Sequence, residues 1–357
     1  LVRVMERMVV RKYLYPCFDN PPESLTFSDQ YAFRPTGSTT SALISLFHTV
    51  TELLTTNQFV VVYALDFSKA FDTVRHATLL EKLAMLNIPD SVYNWLVNFF
   101  TGHSHCTRFN DQQSTFQNIN ASIIQGSGIG PGAYVVNAAD LVTINRDNFL
   151  VKYADDTYLI VPARSISTRQ VELDNIEQWA VTNNLKLNRQ KSAEIIFTDS
   201  RRKTLTALPN ELPDITRVTS IKILGVTATN RLTMNEHVDN LLRSCAQTVY
   251  ALKILRSHGM NKECLSNVFR ATILAKLTYA TSSWIGFTSA ADIDRIEAFL
   301  RRCRRSELCS ADVVTFSELC DIADQRLFAR VLENPMHTLH GLLPPLSEAD
   351  RHYNLRP

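Results

Sequence analysis

The sequence predicts an α+β chain in which a mixed body of strands and helices is followed by an all-helical region. Three observations carry that prediction. The run Phe59–Leu65 is β-branched and too short for a lone helix, and it reads as a buried strand. Two further apolar runs, 149–154 and 157–161, are separated only by Asp155 and Asp156, which reads as a tight hairpin. Beyond residue 234 the pattern turns helical: Val238, Leu241, Cys245, Val249, Leu252 and Leu255 form one apolar stripe, with Gly259 placed to end it.

The remaining elements follow in chain order. Residues 1–14 predict a helix ended by Pro16 and the Pro21-Pro22 pair, and a Gly-Ser-Thr-Thr start opens a second over 38–54. Helical patterning resumes over 77–86 and 91–100, and strand-like segments lead to Ile123-Ile124. A glycine-rich stretch, 126–132, precedes a helix from Tyr134 towards Leu141. Residues 166–183 read as a helix with Leu173, Ile176 and Ala180 on one face, followed by strands over 193–198 and 221–226. Helices over 265–284 and 293–303 complete the pattern, and a boundary near residue 234 divides a mixed body from a helical module.

Composition narrows the class. Of 357 residues 45% are hydrophobic, which supports real cores and excludes disorder, a collagen-like repeat and a disulfide mini-scaffold. Thirty-seven basic side chains against 35 acidic leave a net charge of +2, so bulk charge points to no polyanion partner. The longest charge-free stretch, 112–139, is too rich in Gln, Asn, Ser and Gly to cross lipid, and no signal peptide opens the chain. The start lacks Met and reads as mid-helix, which predicts a piece of a longer protein. The seven scattered cysteines contain no Cys-x-x-Cys pair and read as reduced thiols.

The chemistry lies in two acidic sites at strand ends. Asp66 closes the first strand within Ala64-Leu-Asp66-Phe-Ser-Lys-Ala-Phe71-Asp72, and Asp155-Asp156 occupy the hairpin turn. A carboxylate beside Val, Ile and Leu is costly to desolvate unless positive charge meets it. If the strands are neighbours, three carboxylates converge, and their repulsion calls for hard divalent cations, Mg²⁺ above all. A pair of such ions suits in-line displacement at phosphorus. The plainer alternative is an ordinary acidic turn, against which Tyr153 and the upstream Asp66 weigh.

Tyr153-Ala-Asp-Asp156 resembles the Tyr/Phe-x-Asp-Asp box of reverse transcriptases. The segment from Asp66 to Asp72 resembles the preceding metal-binding box as non-LTR retrotransposons write it. Phe33-Arg-Pro-Thr-Gly-Ser-Thr39 is similar to their fingers motif, and Gln125-Gly-Ser-Gly-Ile-Gly-Pro131 to the loop that supports template and nucleotide. Asn184-Leu-Lys-Leu-Asn-Arg-Gln-Lys191-Ser resembles the following lysine-bearing motif, and Ile223-Leu224-Gly225-Val the primer-grip box. The six boxes stand in the family's order over essentially the whole chain, most like LINE-type elements of the broad Jockey/CR1-like group.

The resemblance implies a right-hand polymerase with an antiparallel palm sheet on a ferredoxin/RRM-like core. Residues 1–58 would be partial fingers, 59–234 the palm with inserted fingers elements over about 77–120, 235–310 a helical thumb and 311–357 a helical connector. Asp66, Asp155 and Asp156 would hold two Mg²⁺ ions, with Mn²⁺ a possible substitute and the Phe67 carbonyl completing the set. Phe71 would stand under the sugar and select dNTPs, an idea for which Phe67 competes. Arg34 would meet the triphosphate, its alternative being a solvated surface arginine. Gln125, Gly126 and Tyr153 would contact template or nucleotide, and Leu224 with Gly225 the primer. Lys191 would protonate departing pyrophosphate, although a plain loop lysine explains it equally.

The 125–132 loop also invites a dinucleotide-binding reading, but Pro131 stands where the last glycine of that fingerprint belongs. The loop departs from the family pattern too, with Ile124 in place of a proline and Gly132-Ala133 in place of two bulky apolar residues. Arg301, Arg302, Arg304 and Arg305, with Arg201-Arg-Lys203 earlier, read either as a solvated face or as a grip on a nucleic-acid backbone. The tail 352–357 resembles a segment that often closes this region.

The implied activity is RNA-directed DNA polymerisation from dNTPs on an RNA template and DNA primer. No membrane partner is implied, an endonuclease is expected elsewhere in the full-length protein, and location would be nuclear and cytoplasmic. A catalytically inactive, domesticated nucleic-acid-binding protein is the rival. An RNA-dependent RNA polymerase shares the metal chemistry, but Phe71 argues against it.

Overall fold

A computed structural model describes residues 1–124, 126–199, 208–310 and 313–345. The first helix, Val2–Val9 (α1), continues through a π turn, Val10–Leu14, into Tyr15–Asp19, past the proline expected to end it. The widened turn permits this. The Tyr15 N–H reaches back to the Val10 carbonyl, and Pro16 falls in the opening turn of the next segment, where its missing N–H costs nothing.

Thr39–Thr56 (α2) starts as expected, with the Ser38 hydroxyl accepting the Ser41 N–H at 3.0 Å. Strand β1, Phe59–Leu65, matches the sequence reading. His76–Ala84 (α3), Asp90–Phe100 (α4), two exposed β-ribbons between 104 and 118, and Gly130–Asn137 (α5) follow. The last begins ahead of the expected Tyr134 because Pro131 suits a first helical turn. The hairpin is β2, Phe149–Tyr153, and β3, Asp156–Pro162, and Arg169–Thr182 (α6) leads to β4, Ala193–Thr198. After Thr216–Val218 (β5), the expected strand over 221–226 is instead a hairpin, Ser220–Ile223 (β6) and Val226–Thr229 (β7). Leu224 and Gly225 turn the chain there with φ of 44° and 92°.

The sheet order is β2-β3-β1-β4-β5, antiparallel except for β5 beside β4. Helices between β1 and β2 and between β3 and β4 give the βαββαβ order of a ferredoxin-like arrangement. The central strand β1 feeds two cores. Phe59, Val61, Tyr63 and Leu65 pack with Val135 of α5 and Ile176 of α6. Val60 and Val62 join Leu43 and Leu46 of α2 in a core that continues into the helical region. Burial on both faces explains the unbroken apolar run.

That region comprises Asn235–Ser257 (α7), Lys262–Phe269 (α8), Ala290–Arg305 (α9) and Phe316–Glu333 (α10), joined by shorter pieces. The helix expected over 265–284 breaks instead. A π turn, Arg270–Leu274, and Ala275–Leu277 give way at Ala280, with φ of 52°, before Thr281–Trp284 restarts. Val238, Trp284 and Phe316 share the core that contains Val60, so residue 234 marks a change of element type and not a gap in packing.

Two lysines are buried behind the sheet. The Lys152 ammonium pairs with Asp29 at 3.0 Å and donates to the Ala138 and Leu141 carbonyls at 2.9 and 3.0 Å. The Lys82 ammonium reaches Asp140, the Asn137 carbonyl and Asn183 at 2.6, 2.5 and 2.7 Å. Of the cysteines, Cys17, Cys245, Cys303, Cys309 and Cys320 are buried, and Cys264 is exposed. No described helix is long and apolar enough to cross a membrane.

Two consequences follow for stability. Lys152→Met leaves the Asp29 carboxylate without its counter-charge and should cost about 3–5 kcal/mol in urea unfolding. His237 on α7 is buried edge-on to Trp284, and burial together with nearby Lys222 pushes its imidazole down to about 4. The folded state therefore takes up fewer protons than the unfolded chain, and stability falls as pH drops from about 6.5 towards 4. Between about pH 7 and pH 5 this should cost roughly 2 kcal/mol, and His237→Gln should flatten that part of the profile.

Candidate active site

Asp66 follows the last residue of β1, and its backbone is pinned on both sides. Its N–H donates to the Ser192 hydroxyl at 3.2 Å, and its carbonyl accepts the Asn188 N–H at 2.8 Å. The Ser192 hydroxyl in turn donates to the Asn188 carbonyl at 2.8 Å. The turn 188–192 thus closes on Asp66 and carries the exposed Lys191 beside it. The Phe67 side chain goes into the core, edge-on to Trp179 at 5.8 Å, while its carbonyl takes none of the described hydrogen bonds.

The second acidic element is set by strand register. Leu65 pairs with Thr157 across β1 and β3, so one step further Asp66 stands opposite Asp156. Tyr153 pairs with Asp156, which makes Ala154 and Asp155 the two turn residues and Asp156 the first of β3. Ala154 takes φ of 56°, a strained choice for a residue with a side chain. Buried Gln30 holds it there: its carbonyl oxygen accepts the Ala154 N–H at 3.0 Å, and its amide reaches the Ala154 carbonyl at 3.4 Å.

The carboxylates sense one another. Partial burial, then the charges of Asp155 and Asp66, push the Asp156 carboxyl up to about 6. Burial first and Asp66 second raise Asp155. Among the described residues no Lys or Arg forms an ion pair with any of the three. Nor do any three His, Cys, Asp or Glu side chains among the described residues close into a set able to hold a metal ion as they stand. The expected convergence is therefore one of neighbouring strand ends, not a ready chelate. Hard oxygen donors with uncompensated charge nevertheless suit Mg²⁺ chemically.

Aromatic side chains frame this cluster. Half-buried Phe71 stacks on Tyr134 with ring centroids 4.3 Å apart, and burial with the charges of Asp155 and Asp156 raises the Tyr134 hydroxyl. Of the two competing phenylalanines, Phe67 is buried within the core, and Phe71 packs half-buried against that core beside Tyr134. On the other side the Leu224–Gly225 turn meets Tyr279, whose hydroxyl donates to the Leu224 carbonyl at 2.9 Å. Burial, then the charge of Asp156, raises the Tyr158 hydroxyl, and the nearby Leu224 backbone partly offsets the rise. Tyr153 is raised by burial, then by its neighbours Tyr279 and Asp156.

The glycine loop is tied down by α1. Gly126 has φ of 82°, and the Gly128 N–H donates to the buried Glu6 carboxylate. A Cβ on Gly128 would stand 2.8 Å from the Glu6 Cβ, so only glycine fits this approach. Gln125 lies outside the described residues, as do Arg201-Arg-Lys203 and the tail 352–357.

Arg34 does not reach the carboxylates. Its guanidinium donates to the Phe27 carbonyl at 2.6 Å and faces Asp19 at 3.5 Å, because a largely buried guanidinium must pair locally. Arg301, Arg302 and Arg305 are exposed near the end of α9, and Arg304 is half-buried with its Nε unpartnered. Arg302 and Arg305 line a groove of about 570 Å³ with Tyr250 and Lys253 of α7. Sequence reasoning missed Gln30, Ser192, Tyr134 and Tyr279. Only Ser192 sat inside a motif already singled out; Tyr134 and Tyr279 lie on stretches read only as helices, and Gln30 on a stretch assigned no element.

Residues 1–228 match the family model described as reverse transcriptase (RNA-dependent DNA polymerase). The chain is 26% identical over 309 residues to the RNA-directed DNA polymerase from mobile element jockey of Drosophila melanogaster, covering 83% of this chain and 33% of that protein. It is also 26% identical over 297 residues to the probable RNA-directed DNA polymerase from transposon X-element of the same fly, covering 79% and 32%. The chain thus spans about a third of the length of these relatives. Among solved structures, the apo telomerase of Candida tropicalis superposes loosely, with a TM-score of 0.47 at 10% identity over 96% of this chain and 59% of that one. The chain belongs to the reverse transcriptase (RNA-dependent DNA polymerase) family.

Proposed function

We propose that this chain is the polymerase portion of a non-LTR mobile-element protein and extends a DNA primer along an RNA template with dNTPs. The observation that carries the reading is the β1–β3 register, which sets Asp66 opposite Asp156 with Asp155 in the adjoining turn. Two Mg²⁺ ions, or Mn²⁺ in their place, would be held by Asp66, Asp155, Asp156 and the Phe67 carbonyl, and would supply charge neutralisation at the reacting phosphate. The primer 3′-hydroxyl attacks the α-phosphorus of the dNTP, and pyrophosphate leaves. Lys191, on the 188–192 turn that closes on Asp66, protonates the leaving group in this reading. Phe71, backed by Tyr134, stands under the sugar and crowds a 2′-hydroxyl.

In this reading residues 1–58 are fingers, 59–234 palm, 235–310 thumb and 311–357 a connector. Arg301, Arg302 and Arg305, with Lys253 and Tyr250 across the groove, grip the backbone of the template–primer duplex. The parent protein would carry an endonuclease and work in a nuclear and cytoplasmic ribonucleoprotein. The local pairing of Arg34 favours a second reading, a protein that binds template and primer without turnover.

Primer extension on poly(rA)/oligo(dT) with Mg²⁺ separates the two. The polymerase reading expects extension by the wild-type chain and none by Asp155→Ala, with duplex affinity held within about threefold because backbone contacts supply it. Binding without extension by the wild type establishes the second reading. Phe71→Val should raise rNTP over dNTP incorporation by roughly tenfold or more, since removing the ring opens space for the hydroxyl. An unchanged ratio places the sugar gate elsewhere.

A further inference from the structure

Tyr279 sits where the helical region touches the catalytic sheet. It occupies the break between Ala275–Leu277 and Thr281–Trp284, just before Ala280 with its φ of 52°. Its carbonyl accepts the Trp284 indole N–H at 3.0 Å, and Trp284 is fully buried against His237 of α7 and Phe316 of α10. The Tyr279 backbone is therefore anchored in the helical core, while its ring, 40% exposed, projects onto the β6–β7 turn.

The contact with that turn is close on two sides. The hydroxyl donates to the Leu224 carbonyl at 2.9 Å. A Cβ on Gly225 would stand 3.1 Å from the Tyr279 ring and press it back by a few tenths of an ångström, and the φ of 92° at Gly225 itself favours glycine. Leu224 also packs against the core that holds Tyr158 of β3, two residues beyond Asp156. One turn thus lies between a tyrosine of the carboxylate strand and a tyrosine of the helical region.

We infer that Tyr279 is a positioning residue: it fixes the Leu224–Gly225 turn against the carboxylate hairpin, and through that turn the end of the primer. This rests on the polymerase reading above. A bond to a turn carbonyl adds little to duplex affinity, which comes from backbone charge contacts. It adds to alignment, where a displacement of about an ångström is enough to slow chemistry severely.

The test compares Tyr279→Phe, which keeps the ring and removes the hydroxyl, with the wild-type chain. Single-turnover primer extension should fall about tenfold, the scale of one lost hydrogen bond, with duplex Kd and dNTP half-saturation each within about twofold. Amide hydrogen exchange across 220–229 should rise several-fold while the melting temperature stays put. Unchanged exchange, or wild-type extension by the variant, overturns the assignment. So does a parallel loss of duplex affinity, which would make Tyr279 a nucleic-acid contact instead. A wild-type chain that extends no primer sinks the polymerase reading, and the exchange comparison then judges the Tyr279–Leu224 clamp by itself.

Discussion

The site depends on one constraint, the antiparallel pairing of β1 with β3. With side chains alternating across a sheet, a slip of one residue would turn Val61 and Tyr63 out of one core and Val60 and Val62 out of the other. Two cores therefore enforce a single register, and that register sets Asp66 across from Asp156. The carboxylates occupy neighbouring strand ends because aliphatic packing on both faces leaves them no other place. Their mutual repulsion is borne by burial energy gathered along the length of β1.

Around this strand the protein spends polar groups on holding backbone and not only on chemistry. Gln30 keeps Ala154 in a left-handed turn, Ser192 and Asn188 hold the peptide groups of Asp66, and Glu6 secures the Gly128 amide. Each joins segments far apart in sequence, so the loops at the site are positioned by elements that never touch the reacting atoms. Lys152, bonded to Asp29 and two carbonyls, does the same for the hairpin's underside. The near-neutral net charge conceals this arrangement. Acid gathers at the strand ends, base gathers near the end of α9, and several of the remaining charges are paired out of solvent.

What was legible in the sequence follows from how local each signal is. Phe59–Leu65 and Ala193–Thr198 announce themselves by composition and by polar punctuation, and both strands match. Motif residues in fixed local spacing, such as Asp155 and Asp156, are equally readable. Tertiary choices are not. Nothing around Pro16 betrays a π turn able to absorb it, and Ile223-Leu-Gly225-Val reads as continuous strand until two positive φ values fold it back. Arg34 looks like a free guanidinium in one dimension and is paired with Asp19 in three. Gln30 and Tyr279 act through distant backbone, which no spacing rule detects.

The cysteines carry a practical consequence. Burial pushes the Cys245 and Cys303 thiols up to about 11 and the Cys320 thiol to about 12, so at neutral pH they stay protonated and poorly nucleophilic. Accessible sulfur is left at Cys264 on α8 and, partly, at Cys106 between the exposed ribbons. The first belongs to the helical region and the second to the exposed ribbons between β1 and β2. The native chain therefore offers two chemically favoured attachment points for a donor and an acceptor dye. A distance measured between them would follow how the helical region and the exposed ribbons move relative to each other when nucleic acid is added, with no engineered cysteine.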